Sequence, residues 1–152
     1  MMRVTVKDAS FSVDAELSNF SQARTDSVGA LATFVGYCRS ESATGGVESL
    51  HLDHYPGFTE VEVARLARAV VERHHLIDLL VVHRTGAVTP REPIVLVAAL
   101  AEHRAEALAA VAELMDYLKT DAPFWKREMN GGQSRWIEPT EADRARRAAR
   151  GD

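Results

Sequence analysis

The chain has 152 residues, 46% hydrophobic and 26% charged, with a formal net charge of −4. That size and balance describe one domain over 1–152 with a real core, and the acidic total argues against general nucleic-acid binding. A single cysteine, Cys38, excludes an internal disulfide framework and a multi-cysteine zinc site, and the lack of long apolar runs or a signal-peptide pattern makes a cytoplasmic protein the expectation.

Met2-Arg-Val-Thr-Val6 alternates in the manner of a strand. Asp14 to Ala23 reads as a short amphipathic helix, with Leu17 and Phe20 three apart. Gly29 to Cys38 reads as a buried strand, followed by a polar, flexible loop over Ser40 to Gly46. Val47 to Tyr55 is a further strand that stops at Pro56-Gly57, a turn signal. Thr59 and Glu62 then have the spacing of a capping box, and the helix they open runs to about His74 with Val63, Leu66, Ala67 and Val70 inward.

Leu79–His83 and Ile94–Leu100 read as buried strands, the second without polar alternation. A long helix over about His103 to Thr120 is predicted to bury Leu108, Val111, Ala112 and Met115. Trp125–Met129 and Ser134–Ile137 can pair as a hairpin across Asn130-Gly-Gly. From about Thr140 the chain is charged and alanine-rich, a surface helix or a fraying end. Strands and helices do not alternate strictly, which argues for α+β rather than a parallel α/β sheet.

The densest chemistry lies in Met115-Asp-Tyr-Leu-Lys-Thr-Asp-Ala-Pro-Phe-Trp-Lys-Arg127. Pro123 must break the helix, so Lys119 falls in its last turn and Lys126 just past the corner. Phe124 and Trp125 between them could wall off water. A drier lysine titrates below its usual ~10.4 and becomes fit for acid–base or nucleophilic work. The same residues also suit a helix C-terminus whose cations complement the dipole, followed by a core aromatic pair.

Other bases lie far apart in sequence. Arg39 ends a strand, and His103-Arg104 opens the long helix, where free amides and the dipole favour anions. Arg104 could equally pair with Glu102 or Glu106, and Arg39 could be a plain surface residue. Cys38 reads as a quiet buried thiol and His83-Arg84 as strand-end packing. His74-His75 suits a helix C-terminus. His51 and His54, three apart on a strand, face opposite ways and do not suggest a metal pair. Gly-rich phosphate motifs and zinc-ligand spacings are absent.

Taken together the chain resembles the large, catalytic subunits of molybdopterin synthase, the MoaE type. The resemblance runs through Thr33-Phe-Val-Gly36, Arg39, Leu52-Asp-His-Tyr-Pro-Gly-Phe-Thr-Glu60, His83-Arg-Thr-Gly86 and His103-Arg104. It is strongest over Met115 to Glu128 and closes at Arg135-Trp-Ile-Glu138. It implies an α/β-hammerhead-like α+β fold: a mixed sheet, two long helices and a C-terminal β-hairpin. It implies sulfur transfer from the C-terminal thiocarboxylate of a small ubiquitin-like subunit to cyclic pyranopterin monophosphate (precursor Z). No metal or organic cofactor is implied. The partners implied are that small subunit, with its Gly-Gly tail, and a second copy of the chain at the centre of a heterotetramer.

By the same resemblance Lys119 and Lys126 are catalytic. Arg39, His103 and Arg104 hold phosphate and pterin, and Phe34 and Met115 supply apolar walls. Three departures stand out. Pro139-Thr140 replaces a common arginine, whose contact Arg135 or Arg144 could supply. The loop after Arg39 lacks an asparagine and a further base. Pro90-Arg-Glu-Pro93 stands where a glycine before the acid is common. A module that binds a ubiquitin-like tail or an anionic pterin without turnover is the alternative, and it has no reason to keep both lysines.

Overall fold

Two uninterrupted apolar runs set the architecture, because a strand that is greasy on both faces has to lie mid-sheet with layers on either side. The structure, a computed structural model, describes residues 2–22, 24–42 and 45–151. Its elements begin with β1 (Arg3–Lys7), α1 (Val13–Gln22), β2 (Ala30–Tyr37), β3 (Glu41–Ser42), β4 (Gly45–Gly46), β5 (Ser49–His54) and α2 (Phe58–His74). They continue with β6 (Asp78–Arg84), β7 (Gly86–Val88), β8 (Pro93–Ala101), α3 (Arg104–Thr120), β9 (Phe124–Asn130), β10 (Gln133–Ile137) and α4 (Glu141–Ala149).

The apolar runs are β6 and β8, the two central strands of a sheet ordered β1-β6-β8-β2. β1 pairs parallel with β6, while β6–β8 and β8–β2 are antiparallel, so the sheet is mixed as expected. One face, with Val81, Val97 and Ala99, packs under α2 and α3 through Val63, Ala67, Val70, Ala107, Ala110 and Leu114. The other face, with Leu80, Val82, Leu96, Ala98 and Leu100, is covered by Phe11 and by Phe20 of α1. A second, antiparallel sheet runs β10-β9-β5-β7, and a small cluster of Cys38, Leu52, Val88 and Ile94 lies against it. The predicted hairpin forms as β9–β10, with Gly131 and Gly132 at φ 58° and 80°, the positive values a two-residue turn needs.

Several local expectations are corrected. The helix α2 starts at Phe58, because Gly57 takes φ 87° and the Glu60 carboxylate accepts its N–H. Thr59 is therefore inside the first turn and fully buried, accepting from Tyr55 N (2.9 Å) and donating to the Pro123 carbonyl (3.1 Å). Glu62 is left to pair with Arg65 at 3.1 Å. In α3 the inner stripe is rotated: Leu108 is 62% exposed and Ala112 is exposed, while Ala107, Ala110, Val111, Leu114, Tyr117 and Leu118 are buried.

The cause of that rotation is Glu113. It is buried on the same stripe because Arg73 reaches it from α2 at 2.6 Å, with His74 at 3.4 Å. A paired acid can occupy an inward position that a count of apolar residues assigns to solvent. Within the loop expected over 40–46, β3 pairs with β4, and Ala43 and Thr44 lie outside the described residues, as does the expected helix end at Ala23. Among the described residues no helix is long and apolar enough to cross a membrane.

Candidate active site

The corner predicted at Pro123 is where helix hands over to sheet. Asp121 N and Ala122 N both donate to Tyr117 O (2.7 and 3.0 Å), closing α3, and Phe124 N donates to Ala122 O (2.8 Å) as β9 begins. The bond from buried Thr59 to Pro123 O anchors the corner to α2. Lys119 thus sits in the last turn of α3 and Lys126 on β9, on the same strand face as Phe124. Phe124 stacks flat on His83 at 3.8 Å and 9°. Trp125, on the other strand face, packs edge-on against Tyr55 at 4.8 Å, and both Phe124 and Trp125 line the cavity beside the lysines.

The two lysines border a cleft of about 710 Å³, together with Phe34 of β2, Arg39 just past β2, and Met115 one turn before Lys119. Five of the seven residues singled out by sequence therefore surround one cavity. His103 and Arg104 do not. They are exposed at the N-terminus of α3, sixteen and fifteen residues from Lys119 and so about 22–24 Å away at 1.5 Å per residue. Arg104 makes no ion pair with Glu102 or Glu106 among the described residues. Arg127 leaves the cleft, pairing with Asp53 at 3.0 Å and stacking over Trp136. Of the two candidates to replace a missing arginine, Arg144 borders the cleft, bonded to Glu138 at 3.2 Å, and Arg135 does not.

The electrostatics follow from two ammonium groups meeting at the cleft, Lys119 exposed at its edge and Lys126 half-buried. Burial, then the charge of Lys119 and a hydrogen bond with it, lower Lys126 to about 7. Near neutrality Lys126 therefore interconverts between ammonium and free amine. His83 is the residue that sequence reasoning discounted. It is 5% exposed, lowered to about 3 by burial and by the nearby Lys126 and Lys119 charges, and its Nδ1 bonds Arg84 O at 2.8 Å. A neutral ring beside two lysines lines the cleft without adding a third cation. The signal for it was its place in a strand that ends facing the Pro123 corner, which only the fold reveals. Cys38 is buried, and desolvation pushes its thiol up, away from thiolate chemistry.

Fold and cleft together define an α+β domain with two lysines bordering one cavity, Lys126 among them lowered to about 7. The chain matches the family described as MoaE protein over residues 6–121. The molybdopterin synthase catalytic subunit of Cereibacter sphaeroides is 46% identical over 144 residues, covering 95% of this chain and 97% of that one. The solved molybdopterin biosynthesis MoaE protein from Burkholderia ambifaria MC40-6 superposes with a TM-score of 0.82 at 38% identity, over 100% of this chain and 99% of that one.

A protein–protein complex of subunits 1 and 2 of molybdopterin-converting factor from Helicobacter pylori 26695 aligns with a TM-score of 0.74. It covers 88% of this chain and 89% of its own at 18% identity, and so speaks to the fold alone. The chain belongs to the MoaE family, as a catalytic subunit of molybdopterin synthase, an enzyme of molybdenum cofactor biosynthesis.

Proposed function

We propose that the cleft brings a thiocarboxylate tail from a small ubiquitin-like subunit against cyclic pyranopterin monophosphate and transfers its sulfur. The observation that carries this reading is the pairing of Lys119 with a Lys126 lowered to about 7 at one cavity. Thiocarboxylate and cyclic phosphate are both anions, and bringing them together out of water costs repulsion and desolvation that fixed cations offset. Lys119 meets the incoming tail. Lys126, able to hold or release a proton near neutrality, protonates the departing oxygen. Arg39 binds phosphate, and Phe34 and Met115 hold the flat pterin. The 46% identical relative is named a catalytic subunit, which supports a partner subunit of this kind.

His103 and Arg104 fit this reading only from a second copy. At about 22–24 Å along the helix from Lys119 they cannot serve their own cleft, so a homodimer in which each chain lends its α3 N-terminus to the other is part of the proposal.

A single-turnover assay tests the chemistry, using thiocarboxylated small subunit and precursor Z, with product read as an oxidised fluorescent pterin. Wild type is expected to form product, and folded Lys119→Ala and Lys126→Ala to lose at least ~100-fold. Wild-type rates in both variants would remove the lysines from the chemistry.

A further inference from the structure

The turn joining β7 to β8 carries an arginine where turn chemistry calls for glycine. Glu92 N donates to Thr89 O at 3.2 Å, closing Thr89-Pro90-Arg91-Glu92, and Arg91 has φ 81°. Proline second and a positive φ third is the type II pattern, whose third position suits glycine or asparagine because a Cβ is strained there. The rest of the turn holds regardless. The Glu92 carboxylate accepts from Thr89 N (2.9 Å), Thr89 Oγ1 (2.7 Å) and Arg84 Nη1 (3.0 Å). Arg91 N also donates to Cys38 O (2.8 Å), and Cys38 N to Glu92 O (2.9 Å), which ties the turn to the end of β2 immediately before Arg39.

Arg39 and Arg91 consequently border one hollow of about 510 Å³, with Cys38, Ser40, Glu41 and Pro90 around it. Arg39 and Glu41 also border the lysine cleft, so the two spaces adjoin. Both arginines are exposed, and among the described residues neither guanidinium makes an ion pair or side-chain hydrogen bond. Glu41 is the acid at the hollow, and two guanidinium groups against one carboxylate leave the place positive. A side chain that adds no bond to the fold, at a backbone position that penalises it, points to a ligand.

We propose that Arg91 is a substrate-binding residue, forming with Arg39 a two-guanidinium clamp for the phosphate of the substrate. This rests on the function proposed above. A cyclic phosphodiester offers two free oxygens sharing one negative charge, and a guanidinium fork can address each of them. Held there, the phosphate lies outside the lysine pair, and the pterin extends inward between Phe34 and Met115.

The test compares wild type, Arg91→Gly and Arg91→Lys by thermal unfolding, by steady-state kinetics with precursor Z, and by calorimetric binding of precursor Z and of the small subunit separately. Arg91→Gly is expected to raise Tm by about 2–4 °C through relief of strain. It should also raise KM and the precursor Z Kd about 10- to 100-fold, with kcat within about twofold. Arg91→Lys keeps the charge but not the fork, and should fall between them. A stabilised Arg91→Gly with unchanged KM and Kd overturns the proposal. So does a variant that loses affinity for the small subunit alone, since the guanidinium would then face the protein partner. If wild type binds precursor Z, Arg91→Gly does not, and neither turns over, the clamp stands and the proposed reaction falls.

Discussion

Lys126 stands close to its own titration point at neutral pH, and that has a consequence for folding as well as chemistry. Its pKa is lowered from 10.5 to about 7 in the folded chain, so between those values the unfolded chain binds the extra proton. Stability must therefore rise with pH from about 7 upward and be flat below, with ~1.4 kcal/mol per pH unit as the ceiling. Lys126→Met removes the group. The difference in urea midpoint between wild type and this variant is expected to move in favour of wild type from pH 7 to 9. A constant difference would show that the lysine is not held in a dry place. The lysines were legible from their spacing around a proline and Arg39 from its place at a strand end, whereas Phe34 and Met115 were marked only by the family resemblance. His83 was not legible as a site residue, because nothing along the chain announces that its ring meets Phe124. Arg91 was visible as an oddity in a turn, but its neighbour Arg39 lies far away in sequence.

Of the four described helices, α4 is the one with no buried residue. It is held to α3 by charge: Arg146 and Arg150 reach Asp116 (3.6 and 2.7 Å), Arg150 reaches Glu113 (3.8 Å), and Arg147 pairs with Asp121 (2.8 Å) and lies over Tyr117. Thr140 caps the helix by accepting from Asp143 N, and both residues border the cleft. Exposed pairs are individually weak and salt-screened. Asp116→Asn, or 1 M salt, is expected to loosen α4 by ~1 kcal/mol, about a fivefold faster amide exchange over 141–149 with β6 and β8 unchanged. Unaltered exchange in α4 would mean that its helix propensity and cap suffice.

The element-scale errors have one origin. Sequence periodicity found every long helix and central strand, because burial on two faces or on one stripe leaves a direct trace. It misplaced the α2 cap and the α3 stripe, where Thr59 is turned inward to the Pro123 carbonyl and Glu113 to Arg73, partners supplied from distant parts of the chain.

For the whole molecule, one chain contains only part of the proposed site. Mixed dimers decide whether the rest comes from a second copy. Lys119→Ala and His103→Ala are each expected to be impaired alone. Random mixing of the two should restore about a quarter of wild-type sites, since half the dimers pair unlike chains and each of those keeps one intact cleft. No recovery would place His103 outside the shared site.

The depressed Lys126 also means that, in the mechanism proposed above, the free enzyme is short of the proton the reaction calls for. An anion entering the cleft stabilises the ammonium form, so the lysine's affinity for hydrogen ions rises as the ligand arrives. Near pH 7 the binding step is therefore a three-body event, in which protein, anion and a proton taken from the buffer assemble together. In the reaction proposed above, the acid that releases the departing oxygen is then recruited by the charge of the incoming tail itself.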